Sequence, residues 1–570
     1  MRILAALALV CTPVLAADPL DRLMPPETGL YLSVENAARS LERLKGNPLW
    51  KLQEIPAVRD GLLADLLAQW EKFVAESRKD GLDVDEFATM LEGQVAFALV
   101  FPSPDSGRKM GALVFADVGE QTAKLQEMLK KGEAAMAEGK RRTEVEFRGV
   151  TIVNLLAEER GEAREEEGGG EEPGAITELF EIEDNYSFFA HEGLFGLASD
   201  PELLKQALIR RGEAGGESLA SRRDYAAVRA KMGGRPDLVA YCDVKGFFDL
   251  LMPEMAAETP VAIMQGILAS GLGNLESAGA QLVLGKNSLE MQMYLHTPAG
   301  KIGFLKLFDN PNAPLDPPAF VPADVVSYTA FAIDIPALWQ EARRMSDRMQ
   351  PGMSAMIDAA LASASQQLGV DLQKDVMGAI GKRLHFYQLA PDAGAPGGIP
   401  MPAMVFALDV AERDRLEKAL DTLCERIPPG SLEVRDYLGT ELRVLTLPMP
   451  MQPAFALLPG QLVCAMRVED LQVLVAGLGK ETKGLAGSPG YARAMARLPA
   501  SRTLLSYSDQ ARALGEAQDI WSALGAFDEK FRPLLKALEA SADVAGGVMV
   551  NDEEGILIVQ EMLLKEPAAK

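Results

Sequence analysis

Apolar residues along this chain recur at two alternating periods, and the order in which those periods follow one another occurs twice. Runs with every second residue apolar, bounded by Gly, Pro or Asp, predict strands, and runs at three-to-four spacing predict helices. The first series opens with a strand over Gly29 to Val34 after Pro25-Pro26. Val58, Leu62, Leu63, Leu66, Leu67, Trp70, Phe73 and Val74 then mark a helix with a wide apolar face. Gly81 and Asp83 read as a helix stop and the N-cap of a short helix. A hairpin over Gln94–Phe101 and Gly111–Ala116 follows, then a helix over Gln121–Lys131 and strands over Thr143–Phe147, Val150–Leu155, Tyr186–Ala190 and Leu194–Ala198. A helix near Pro201–Arg210, a strand ending in Tyr241-Cys-Asp243, further helix, and strands over Ala278–Leu284 and Leu289–Leu295 complete the series.

The second series runs in the same order. Its strand over Val325–Ile333 precedes a helix carrying Ile357, Leu361, Ala364 and Leu368, the Gly369/Asp371 pair, and a hairpin over Arg383–Leu389 and Pro402–Leu408. A helix over Arg413–Cys424 and strands between Leu432 and Ala465 follow. Gly93 aligns with Gly381 at an offset of 288, Ala112 with Ala403 at 291, Gly193 with Gly460 at 267, and Tyr225, Tyr241 and Asp243 with Tyr491, Tyr507 and Asp509 at 266. Blocks in one order at slowly changing offset predict a duplication. Hairpin runs with helices between them predict an α+β fold, here two tandem diverged copies of a mostly antiparallel sheet-plus-helices unit. The expected boundaries are a signal peptide over 1–17, unit one over 18–300, a Pro-rich linker over 301–319 containing Asn310 to Pro318, and unit two over 320–570. The fall in offset falls on the acidic stretch 157–173, which predicts a solvated, disordered loop on the first copy alone.

Composition changes this picture mainly in compartment. Arg2, the apolar run Ile3 to Cys11 and Val14-Leu15-Ala16 before Ala17-Asp18 have the layout of a secretory signal, so the chain is expected to be exported, to the periplasm or beyond. The longest later apolar stretch, Pro260 to Leu272, is too short to span a bilayer. With 48% hydrophobic and 24% charged residues the chain is globular in composition, and a net charge of −25 disfavours nucleic acid and anionic membrane surfaces as partners. Cys242, Cys424 and Cys464 remain after cleavage; three cannot form a complete set of intrachain disulfides, and they read as small buried hydrophobes, with a Cys424–Cys464 bridge left open.

Candidate chemistry is sparse. His191, His296 and His385 are far apart and form no metal-ligand spacing, no Gly-x-Ser-x-Gly elbow occurs, and Gly378-Ala-Ile-Gly381-Lys382 lacks both the earlier glycine and the hydroxyl residue of a phosphate loop. By self-alignment His385 faces Phe97, which predicts a packing role. The acidic tract lacks the alternating oxygen ligands of a calcium loop. No catalytic, cofactor or metal residue is therefore assigned. Methionine is the one enrichment, at 25 residues. Met345, Met349, Met353 and Met356 fall at helical intervals, and Met401, Met404, Met449 and Met451 flank strands of the second copy, so these eight could line an adaptable apolar groove, although core filling explains them as well. The Tyr241/Asp243 and Tyr507/Asp509 pairs read as a core tyrosine beside a helix-capping aspartate.

The opening Leu23-Met-Pro-Pro-Glu-Thr-Gly-Leu-Tyr-Leu-Ser-Val, with the Gly-Leu-Asp element and the Leu-Glu-Gly93-Gln-Val-Ala-Phe-Ala strand, resembles uncharacterised exported bacterial domain-of-unknown-function families that begin Leu-Pro-x-Asp/Glu-Thr after the signal peptide. That resemblance implies export and an α+β scaffold and brings no catalytic residue. The expected role is a non-enzymatic binding or envelope-associated interaction with a protein partner or an apolar ligand, held in the Met-lined groove or between the copies. An enzyme with an unrecognised site is the alternative.

Overall fold

The computed structural model describes residues 19–56, 83–101, 110–137, 140–157, 185–213, 216–258, 270–390, 403–447, 452–478, 484–523 and 531–566, with 58, 59, 71, 72, 74, 75 and 78. The chain is α+β with a large antiparallel sheet. It divides into two compact units, one comprising residues up to 261 with 275–286 and 291–298, the other 262–274, 287–290 and 299–570. The expected helix over Val58 to Val74, the acidic tract, and Met401, Met449 and Met451 lie wholly or largely outside the described residues.

In the first unit β1 (Thr28–Val34) is central, paired with β2 (Val95–Val100) on one side and β8 (Leu238–Cys242) on the other. β3 (Gly111–Asp117), β4 (Lys140–Phe147), β5 (Val150–Ala157), β6 (Tyr186–His191), β7 (Leu194–Ala198), β9 (Ser277–Leu284) and β10 (Ser288–His296) extend it in the order β4-β5-β6-β7-β3-β2-β1-β8-β9-β10. Two-residue turns close the β4–β5 and β6–β7 hairpins. Arg148-Gly149 and Glu192-Gly193 have φ of 52° and 79°, and 44° and 79°, the doubly positive geometry whose twist matches the strands it joins.

The second unit has β11 (Ser327–Ala332), β12 (Ile380–Leu389), β13 (Ala403–Val410), β14 (Leu432–Tyr437), β15 (Thr440–Leu445), β16 (Ala454–Leu458), β17 (Gln461–Ala465), β18 (Leu504–Asp509), β19 (Ala542–Asp552) and β20 (Gly555–Leu564). Their order, β14-β15-β16-β17-β13-β12-β11-β18-β19-β20, is that of the first unit strand for strand. The Pro-rich stretch is built into this unit: Leu315 is fully buried in its core and Ala313 bridges Arg502.

Each sheet has a near face carrying tyrosines. Tyr31 and Tyr241 lie opposite one another on β1 and β8, and Tyr225, from the helix over Arg223–Met232, meets Tyr241 edge-on at 5.1 Å. Tyr328 and Tyr507 pair in the same way, with Tyr491 meeting Tyr507 at 5.7 Å. Asp243 and Asp509 accept backbone N–H bonds from Gly246 and Arg512, so both cap helices as the sequence suggests.

Candidate functional site

Alternation along a strand sends every second residue to the opposite face, and an antiparallel sheet open to water on that face ordinarily shows polar residues there. Across β7, β3, β2, β1, β8 and β9 the far face of the first unit does not, and that of the second is apolar around Leu384, Phe386, Phe406 and Leu408 but carries Ser327, Thr329, Gln388, Ser506 and Ser508 as well. In the first unit Leu197, Val114, Phe97, Leu32, Ala240 and Ala280 form one register row across six strands, and Leu32 is 38% exposed. The adjoining row, Phe195, Ala116, Val95 and Val34, is buried with Leu41, Met90 and Leu125. These come from the helix over Ala37–Gly46, the chain just past the short helix over Val84–Thr89, and the helix over Thr122–Met136. The apolar floor thus continues from beneath its helices into a partly open row.

The second unit has the equivalent floor. Leu457, Leu462, Leu408, Leu384, Phe331 and Leu504 form one half-buried row. Beside it Phe386 and Phe406 stack at 4.9 Å, and Phe406 is 39% exposed. Met404 lies two residues before Phe406 and so shares this face. Met345 and Met349 lie on the helix over Ile335–Met349, and Met353 and Met356 on the helix over Met353–Leu368, where Met349 and Met356 are 45% and 65% exposed. The second helix buries no residue fully, so Ile357, Leu361, Ala364 and Leu368 give it a half-exposed apolar face.

A polar arrangement that the sequence did not reveal lies on the near face of the second sheet, at one end of β12, β13 and β17. His385 is fully buried, with Nδ1 2.8 Å from the Tyr328 hydroxyl; its Nε2 has no hydrogen-bond partner and stands 3.7 Å from an Asp409 oxygen. Arg383 donates to Asp409 from Nε at 2.6 Å, and Gln461 approaches the other carboxylate oxygen at 3.4 Å. Burial disfavours the Asp409 charge, but His385 and Arg383 beside it outweigh that and hold the carboxyl below its usual range. Arg383, Asp409 and Gln461, with Pro318, Phe320 and Pro459, line an open cleft of about 430 Å³.

Strand register also corrects the alignment of His385. Between Ile380 and Leu384 β12 advances four residues while β13 advances two, and beyond this irregularity the position equivalent to His385 in the first sheet is Ala96, and Phe97 corresponds to Phe386. Among the described residues no group of acidic, histidine or cysteine side chains is arranged to hold a metal, and Cys242, Cys424 and Cys464 are free, so Cys424 and Cys464 are not bridged. No described helix is long and apolar enough to cross a membrane.

No family model and no curated protein matches the chain. Among solved structures, crystal form III of TP0453 is 10% identical, with a TM-score of 0.25, over 52% of this chain and 89% of that one. Crystal form I of TP0453 is 11% identical, with a TM-score of 0.24, over 51% and 82%.

Proposed function

We propose that this chain is an exported, non-catalytic binding protein made of two diverged copies of one unit, and that it holds an apolar ligand against the far faces of its sheets. The shared strand order, the constant offset of 266 between the paired tyrosines and the φ of +79° at both Gly193 and Gly460 support the duplication. The partly open apolar patches around Leu32 and Phe406 carry the binding role, because exposed apolar surface is costly to leave in water and marks interaction sites.

Native mass spectrometry of protein purified from its own host without detergent should show apolar adducts of several hundred daltons. Leu32→Lys and Phe406→Lys variants that keep the wild-type circular dichroism should lose them, with about tenfold weaker binding of a fluorescent apolar dye, or about 1.4 kcal/mol. Adduct-free protein that gives no dye signal above that of an unrelated globular control would sink the reading. Export has its own check: N-terminal sequencing of the mature protein should begin at Ala17 or Asp18, and an intact Met1 in the mature protein would contradict it.

A further inference from the structure

The buried histidine of the second unit is not required to fill its core. In the first sheet the matching row is Ser33, Ala96, Phe115 and Gly196, so the position of His385 holds an alanine there and the large side chain of the row, Phe115, stands one strand over, at the position of Ala407. Both solutions are closed: Ala96 and Phe115 are 1% and 0% exposed, His385 and Ala407 both 0%. One unit closes this row with no ionisable side chain, whereas the other buries an imidazole nitrogen with no hydrogen-bond partner, which is unfavourable unless the nitrogen is put to use.

That nitrogen faces a carboxylate which is itself engaged at the wall of a cleft. The charged and titratable groups around His385 are Tyr328 on β11, Arg383 on its own strand and Asp409 on β13; Tyr491, Arg502 and Asp316 act on Tyr328 from behind it. In either tautomer one further proton gives the ring a donor on each side. Tyr328 is in place to accept one at 2.8 Å, and Asp409 needs to close less than 1 Å to accept the other from its 3.7 Å position. Arg383 holds the other oxygen of the same carboxylate at 2.6 Å.

We infer that the cleft is a proton-coupled binding site for a small carboxylate with an apolar body. The ligand carboxylate replaces Asp409 as the partner of Arg383, Gln461 donates to it, and Phe320, Pro318 and Pro459 take the apolar body. Asp409 passes to His385, which takes up one proton from solvent as the ligand enters. Charge balances: one guanidinium–carboxylate pair becomes two pairs, carboxylate with Arg383 and Asp409 with imidazolium, at the cost of one ligand anion and one proton bound together. Affinity therefore rises as pH falls, by at most tenfold per pH unit. The site stands on residues separate from the far faces, so either reading can fail without the other.

Isothermal titration of the full mature chain with hexanoate, and with hexanamide as the uncharged control, tests it. Hexanoate should bind at least tenfold tighter at pH 5.5 than at pH 7.5. Buffers of different ionisation heat should report uptake approaching one proton per ligand, and hexanamide should bind at least tenfold more weakly. Arg383→Gln should abolish binding. Asp409→Asn, which leaves Arg383 without its internal anion, should bind tightly at both pH values and lose the pH dependence. His385→Gln should lose the pH dependence while staying weak. Equal hexanoate affinity at both pH values, equal binding of the amide, or full binding by Arg383→Gln would overturn the inference.

Discussion

Replacing Arg222 by alanine is expected to destabilise the protein by about 3–5 kcal/mol, the usual result of removing one partner from a buried ionic network. The guanidinium is spent in three directions. Nε and Nη2 donate to the two oxygens of Asp224 at 3.0 and 2.6 Å, Nη2 also reaches Asp243 at 2.9 Å, and Nη1 donates to the backbone carbonyls of Pro26 and Thr28. Asp224 accepts a further bond from the Tyr241 hydroxyl at 2.6 Å and is only 9% exposed, so without Arg222 it becomes a nearly buried anion with neutral donors alone, the Tyr241 hydroxyl and the Tyr225 backbone N–H. Burial works against its charge, yet the bonds from Arg222 and Tyr241 outweigh burial and hold its pKa below the ordinary carboxylate range. A depressed folded-state pKa contributes stability that is complete above the unfolded value and is lost as pH falls through the folded one. The wild type should therefore lose stability below about pH 4, and Arg222→Ala, having already lost that contribution, should show a flatter acid limb. Urea midpoints at pH 7 and pH 3.5 measure both effects. A variant within about 1 kcal/mol of wild type at pH 7 would mean that the network contributes little.

This network shows what the sequence could and could not reveal. The Tyr241/Tyr507 and Asp243/Asp509 pairs were legible because they recur at one offset within strands of clear alternation, and their packing and capping roles are local. Arg222 and Asp224 were not, because the second unit meets the same tyrosine with different chemistry. There Gly490 stands where the offset of 266 places Asp224, and a Cβ on it would lie 2.9 Å from the Tyr507 hydroxyl. One unit satisfies its phenol with a charge and the other brings backbone up to it, so self-comparison removes the signal.

Two further features were hidden for related reasons. Strand alternation identified the strands to within a residue or two at most ends, but apolar residues on both faces made many of them read as continuous runs, from which no open face can be told. Only the register rows show that Leu32 and Phe406 lie on the uncovered side. The site around His385 was lost to a change of one residue in the offset between the copies, from 288 at Gly93 and Gly381 to 289 at Ala96 and His385. That change moved the self-alignment by one position, which is half a strand period, and so exchanged a buried near-face position for a far-face one.

The same register predicts a strong coupling within the first sheet. Its near-face row reads Ser33, Ala96, Phe115, Gly196 and Phe189, and the second reads Ala330, His385, Ala407, Val463 and Ala456, so large and small residues alternate in opposite phase. Gly196 is small because its neighbours are large: a Cβ there would stand 2.6 Å from the Phe189 ring and 2.8 Å from the Phe115 ring. Gly196→Val should overpack this row and cost about 3 kcal/mol. Phe115→Ala should leave a cavity and cost about 3–5 kcal/mol. Together they convert the centre of the row to the phase of the second sheet, since the valine enters the space the phenyl ring leaves. The double variant should therefore be at least about 2 kcal/mol more stable than the sum of the two losses allows. Urea unfolding of the four proteins closes the cycle. Additivity to within about 0.5 kcal/mol would show that the two positions do not share one packing space, and that the opposite phases of the two rows have some other origin.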